Sequence, residues 1–155
     1  QPLAFYIFNT LMKIKQIDEV FCYSSENNFL KFLPKGVKHL PRPKILDGNN
    51  VKANELFRYA VKKINSEFII ITHATNPFIS VESIEKGINA LKKNKFTCAF
   101  SVLKNQTYSW FNQIPLNYNP QRMSQTQELE PIFTETSGFY IFKKDDYLKN
   151  NTRIC

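Results

Sequence analysis

Glycine is scarce in this chain. Its 155 residues hold only Gly36, Gly48, Gly87 and Gly138, too widely spread to build a glycine-rich phosphate loop. No stretch approaches the roughly 18 consecutive apolar residues that a membrane helix needs, so no membrane partner is expected. Cysteine is equally sparse: Cys22, Cys98 and Cys155 are odd in number, far apart and in no Cys-x-x-Cys pair. That pattern argues against a disulfide framework or a zinc site and suits a reducing compartment. Cys22 and Cys98 fall in apolar runs, where a free cysteine usually serves as a small buried hydrophobe. No metal-ligand spacing occurs, no Ser/His/Asp order convinces, and the catalytic residue stays undefined. The apolar opening, residues 1–14, lacks a basic leader and a small-residue cleavage site, which points to a helix of the domain and to a cytoplasmic protein.

Acidic residues are outnumbered, 13 against 21 Lys and Arg, for a net charge of +8. Arginine is rare among the cations, limited to Arg42, Arg58, Arg122 and Arg153. The lysines come in scattered pairs, Lys62-Lys63, Lys92-Lys93 and Lys143-Lys144, as on a solvated surface. A nucleoside triphosphate as ligand agrees with the sign of the charge. A non-catalytic module binding nucleotide or single-stranded nucleic acid through Tyr108, Trp110 and Phe111 is the alternative of a different class. Those aromatics sit in a loop-like segment and are not interleaved with a basic face, so nucleic acid is not the expected partner.

What is present is a regular alternation of helical and extended patterns. Leu3, Ile7, Leu11 and Ile14 recur at helical spacing, and Val20 to Tyr23 is a short apolar run of strand type. Ser24-Ser25 is placed to cap a short helix through Asn28-Phe29-Leu30, and Val37 to Leu40 is extended up to Pro41-Arg42-Pro43. A helix is predicted over residues 51–64, with Ala53, Leu56, Phe57, Ala60, Val61 and Ile64 on one face. Phe68 to Thr72 is a continuous apolar run, which suggests a strand buried on both faces of a parallel sheet. Ser80 caps a predicted helix carrying Val81, Ile84, Ile88 and Leu91, and Phe96 to Val102 is again extended. Residues 104–131 are polar, aromatic and irregular, with at most a short hairpin. Residues 132–134 and 138–142 read as two strands, and Asp145-Asp146 opens a last helix at its favourable end. The expectation is a single domain over residues 1–155, a three-layer α/β fold with a Rossmann-like, mainly parallel sheet and right-handed crossovers.

In such sheets ligands bind beyond the carboxyl ends of the strands. Candidates there are Ser24-Ser25-Glu26, Arg42 between its two prolines, and His73-Ala74-Thr75-Asn76-Pro77. Arg42 has an extended backbone imposed by proline and a guanidinium fit for phosphate, carboxylate or a base edge. His73, Thr75 and Asn76 are all side-chain hydrogen-bonders delivered by a buried strand. Each also has a plain structural reading, as a surface arginine, a structural histidine or a polar connection. The residues alone lead as far as an α/β domain binding a nucleotide or sugar nucleotide.

An ordered series of segments resembles the acylneuraminate cytidylyltransferases, the CMP-sialic acid synthetases and their bacterial relatives. Gln1-Pro2-Leu3 resembles the end of the family's Gly-Lys-Pro-Leu element. Residues 19–26, ending Tyr-Ser-Ser-Glu, resemble the strand ending Val-Ser-Thr-Asp. Arg42-Pro43 with Leu46-Asp47 resembles Arg-Pro-x-x-Leu, and His73 to Phe78 resembles Gln-Pro-Thr-Ser-Pro-Leu. Thr126 to Pro131 and Thr136 to Phe142 resemble the Gln-x-Leu-Pro and Asn-Gly-x-x-Tyr-Ile pair. The resemblance implies transfer of CMP from CTP to the anomeric hydroxyl of an acidic nine-carbon sugar, with release of pyrophosphate and help from Mg²⁺. A CMP-KDO or other sugar nucleotidyltransferase is the alternative within enzymes.

By motif, Arg42, Lys52 and Asn54 would face the nucleotide. His73, Thr75, Asn76, Gln127, Thr136, Ser137, Gly138 and Phe139 would line the acidic sugar. The family's first strand and phosphate loop match nothing here, and its metal-holding acidic residues come after the Arg-Ile pair, here Arg153-Ile154. The Mg²⁺ ligands are therefore expected outside these residues, and the segment alone is expected to be inactive. Departures from the pattern are Ile79 in place of a signature arginine, Gln125 in place of a basic residue, and Ser137 in place of asparagine. A homodimer, partly through an inserted segment, is expected from the family.

Overall fold

The computed structural model describes residues 1–93 and 96–154, so Cys155 lies outside the described residues. The chain divides into two compact units, Gln1–Phe100 with Ser137–Cys155, and Ser101–Thr136.

In the first unit the helical spacing of the opening residues yields α1 (Leu3–Leu11), with Ile7 and Leu11 buried. Strand β1 (Phe21–Ser24) pairs in parallel with β2 (Lys38–Pro41), and a single 3₁₀ turn, Leu30–Phe32, stands where a short helix was expected. Helix α2 (Ala53–Lys63) and strand β3 (Phe68–Thr72) follow. Helix α3 (Val81–Lys92) starts as predicted, the Ser83 amide donating to the Ser80 hydroxyl at 3.1 Å. Such a cap satisfies one of the four amides that a helix start leaves unbonded.

Strands β4 (Cys98–Asn105) and β7 (Ile132–Lys143) complete a three-stranded sheet in the order β3-β7-β4. The chain then turns into α4 (Lys144–Asn150), which carries Asp145 and Asp146 in its first turn and ends at Asn151 in the left-handed region.

The expected mainly parallel sheet is parallel at β1–β2. However, β7 runs antiparallel to β3, from Phe68↔Lys143 to Thr72↔Phe139. No helix precedes β7 to return the chain to the same end of the sheet, and a parallel neighbour needs such a crossover. The two strands expected at 132–134 and 138–142 are one strand. Glu135, Thr136 and Ser137 break the apolar pattern, yet the strand continues through them.

Side chains alternate across the sheet, as period-two geometry requires. Phe68, Ile70, Phe139 and Ile141 meet α1 and α3 in one cluster, where Ile84 is completely buried. Ile69, Ile71, Tyr140 and Phe142 meet Phe57 and Val61 of α2 and Tyr147 of α4 in the other. Helices therefore cover both faces, giving three layers. Burying each aliphatic side chain contributes on the order of 1.5–3 kcal/mol. Gly87 is where α3 comes closest to β7: a Cβ there would lie 2.9 Å from Ile141 Cδ1 and 3.1 Å from the Phe139 ring. Cys22 is buried and free, and burial pushes its thiol pKa up. Cys98, in contrast, is disulfide-bonded, which corrects the expectation drawn from cysteine number and spacing. Spacing along the chain does not set distances once a strand has folded.

The second unit contains the short hairpin β5 (Trp110–Phe111) and β6 (Ile114–Pro115). Its two-residue loop has Asn112 and Gln113 both at positive φ, 47° and 65°, the twist a tight hairpin prefers. Asn117 ties this loop region together, accepting from the Ser109 amide and donating to the Thr107 and Glu130 carbonyls. Leu129 is its buried apolar residue.

Candidate active site

The end of β3 turns sharply, the Asn76 amide donating to the His73 carbonyl at 3.0 Å. That turn presents His73 and Asn76 together, while Thr75 is exposed. The Asn76 side-chain amide donates to the Ser137 carbonyl at 3.4 Å. Ser137 sits inside β7 at φ 54°, a conformation that L residues other than Asn and Gly adopt at a cost. Its hydroxyl lies 3.2 Å from that of Tyr140.

Tyr140 anchors a cation. The Arg153 guanidinium stacks 4.2 Å above its ring centroid and lies 5.8 Å from that of Phe57. Arg153 Nη2 also donates to the Tyr140 hydroxyl at 3.4 Å. Phe57 meets the His73 imidazole edge-on at 5.8 Å. Burial, and then the positive charge of Arg153, holds the His73 pKa below its ordinary 6.5. Six residues from α2, β3's exit, β7 and the segment after α4 are thus gathered at one place.

A cavity of about 1140 Å³ lies between β1 and β3, and His73, Ser24, Tyr23 and Arg42 are among its lining residues. Arg42 bonds Asp47 at 2.7 Å and stands 5.8 Å over the Tyr23 ring. Its Nε and the Tyr23 hydroxyl are both buried with no hydrogen-bond partner. Leaving such a group unsatisfied costs about 1–3 kcal/mol, so two neighbouring orphans mark a place fitted for a polar ligand. Most of the remaining lining, including Ile7, Leu11, Val61, Ile69 and Ile88, is core.

Lys52 and Asn54 stand at the start of α2 and line a second cavity of about 340 Å³ with Thr152 and Arg153. Asn54 is partly committed, its side-chain amide donating to the Asn151 carbonyl at 3.0 Å. The Phe139 ring is buried in the core against α3. The strand's alternation sends Phe139 to one face and Tyr140 to the other. Gly138 is buried beside them. Ile79, where the sequence pattern has an arginine, packs against the core cluster.

Gln127 and Thr136 belong to the second unit. There Thr136 Oγ1 donates to the Ser101 hydroxyl at 2.7 Å, and the Gln127 side-chain amide bonds Gln125 Oε1. Among the described residues no three of His, Cys, Asp and Glu are grouped to hold a metal ion. The described residues therefore do not fit Mg²⁺.

Reading the sequence missed Tyr140, Arg153, Phe57 and Tyr23. Tyr140 lies in a run buried on both faces, where polarity does not mark which side chains reach the site. Arg153 was marked in the sequence only by the Arg-Ile pair, which assigns it no place in the site. It follows the last helix and gains its place only from folding.

The family model described as Cytidylyltransferase matches residues 1–153. The N-acylneuraminate cytidylyltransferase of Oncorhynchus mykiss is 22% identical over 155 residues, covering 92% of this chain and 35% of the relative. The chain thus spans about a third of that relative's length. The 4-diphosphocytidyl-2C-methyl-D-erythritol synthase of Anaerococcus prevotii superposes with a TM-score of 0.67 at 14% identity, over 96% of this chain and 63% of that one. A CMP:2-keto-3-deoxy-manno-octonic acid synthetase solved with CTP gives 0.65 at 13% identity, over 97% and 66%. The bifunctional IspDF of Campylobacter jejuni gives 0.67 at 19%, over 97% and 35%. These likenesses establish the α/β nucleotide-sugar transferase fold, and the match along nearly the whole chain shows that it belongs to the cytidylyltransferase family.

Proposed function

We propose that the protein carrying this chain transfers CMP from CTP to the anomeric hydroxyl of an acidic nine-carbon sugar of the sialic acid type. In that reaction the sugar oxygen attacks the α-phosphorus, the bond to the bridging oxygen breaks, and pyrophosphate leaves. The observation that carries the reading is the gathering of His73, Asn76, Ser137, Tyr140 and Arg153 at the end of β3, next to the unsatisfied Arg42 and Tyr23 groups. A depressed pKa keeps the His73 imidazole neutral, so it can accept a hydrogen bond or a proton from a sugar hydroxyl. Arg42, Lys52 and Asn54 take the nucleotide side, and Mg²⁺ would be held by groups other than those described. A KDO-type acid sugar is the second reading, favoured by the fold likeness to the octonic acid synthetase.

The test measures pyrophosphate released by the full-length protein from CTP with N-acetylneuraminate, KDO and methylerythritol phosphate in parallel. Turnover with the nine-carbon acid is expected, and turnover with methylerythritol phosphate alone would overturn the reading. A homodimer is part of the proposal, with the exposed Trp110, Phe111, Ile114 and Leu116 as its proposed contact. Light scattering at twice the monomer mass, lost in Trp110→Asp, is the expected result. A compartment holding CTP, the cytoplasm, is the proposed location.

A further inference from the structure

Arginines in this chain have different fates. Arg42 pairs with Asp47, and Arg58 gives its Nη1 to the Leu148 carbonyl at 2.9 Å and to Asn151 Oδ1 at 3.4 Å. Arg153 is half-buried, and among the described residues no carboxylate pairs with it. Among the described residues its guanidinium makes one hydrogen bond, the long contact to the Tyr140 hydroxyl at 3.4 Å. A guanidinium has five N–H donors in a rigid fork, and stacking on an aromatic face leaves their edge free to point outward. Tyr140 cannot be displaced easily as the platform, because it is among the largest fully buried side chains.

From this cation and its neighbours we infer that Arg153 receives the carboxylate of the acid sugar, as the residue that sets specificity for an acid over a neutral sugar. The inference rests on the proposed function and deepens it. Three observations converge. The guanidinium is preorganised by two rings, so little rotamer freedom is lost when a planar, two-oxygen acceptor docks. It stands beside the Ser137 and Tyr140 hydroxyl pair, whose donors suit the polyhydroxylated body of a sugar. It also lines the 340 Å³ cavity with Lys52 and Asn54, so an acid held there sits between the sugar groups and the nucleotide groups. A phosphate of CTP is the competing anion, and the test separates the two.

The experiment uses the full-length protein with Arg153→Ala, Arg153→Gln and Arg153→Lys, varying N-acetylneuraminate and CTP separately. Arg153→Ala is expected to raise the KM for the acid sugar at least about tenfold, with the KM for CTP changed less than about twofold, and Arg153→Lys to recover part of the loss. A rise confined to the KM for CTP, or equal KM values in all variants, overturns the inference. A wild-type protein that turns over no acid sugar sinks the functional reading instead.

Because Arg153→Ala removes a stacked side chain, a second measurement on the wild-type chain guards against misfolding. The His73 imidazole resonance is followed by NMR as N-acetylneuraminate or its methyl ester is added. A shift with the acid and none with the ester supports docking at the guanidinium. Identical responses to acid and ester, or none to either, count against it.

Discussion

Two cavities of this molecule differ in size and in character, and the smaller one is the more informative. The larger, about 1140 Å³, separates β1 from β3 and is walled in large part by residues of the hydrophobic core. The smaller, about 340 Å³, is lined by Lys52, Asn54, Thr152 and Arg153 and adjoins the aromatic platform of Tyr140 and Phe57. Volume follows from how sheet edges and helices leave space. Chemistry follows from donors without acceptors, stacked cations and a strained backbone, and these are found around the smaller cavity and at the polar edge of the larger. A search by size alone would choose a wall of Ile and Leu.

The contrast predicts opposite responses to the same kind of substitution. Ile70 lines the large cavity and packs in the cluster with Ile84 and Ile141. Ile70→Asp places a charge in that wall and is expected to cost several kcal/mol, abolishing cooperative thermal unfolding by circular dichroism. Lys52→Asp, on the exposed rim of the small cavity, is expected to change stability by less than about 0.5 kcal/mol and to act on nucleotide binding instead. Equal stability in the two variants would erase the distinction between structural wall and binding wall.

A smaller effect comes from the strain at Ser137. With φ at 54°, a β-branched residue is disfavoured there, and Ser137→Val is expected to lose about 1–3 kcal/mol in urea unfolding. Ser137→Gly fits the same backbone without a side-chain clash and is expected to match or exceed the wild type in stability while losing the contact to Tyr140. If both variants unfolded alike, the left-handed turn would not be stored strain at this site.

Much of the fold was legible because period and burial agree. The apolar runs at Phe68 to Thr72 and Gly138 to Phe142 fall in the paired strands β3 and β7, and the spacing of Val81, Ile84, Ile88 and Leu91 became α3. The single strand through Glu135 to Ser137 was not legible, because those residues are polar, Glu135 and Thr136 are exposed, and their pairing is set by neighbours rather than by hydrophobicity. The antiparallel course of β7 was hidden for the same reason: direction is decided by the connection, which lacks a helix. In the site, His73 and Asn76 could be named from their place after a buried strand. Phe139 and Tyr140 could be separated only by knowing which face each takes, and Arg153 only by its contacts. The Cys98 disulfide likewise depends on proximity that no spacing rule supplies.

The least perturbing test uses a proton rather than a mutation. Because the folded His73 pKa lies below 6.5, the unfolded chain takes up a proton at a pH where the folded chain does not. The contribution of this group to stability is therefore complete above about pH 6.5 and is lost as the pH falls through the depressed folded value. Two causes act, burial first and the Arg153 charge second, and they respond differently. Replacing Arg153 by Gln removes the charge together with the stacked guanidinium, so the imidazole is expected to titrate at higher pH than in the wild type while burial keeps it below 6.5. An NMR titration of the His73 ring in both proteins reads this directly. A pKa unmoved by the substitution would mean that the guanidinium does not face the imidazole, and the polar cluster would lose the link that joins β3 to the segment after α4.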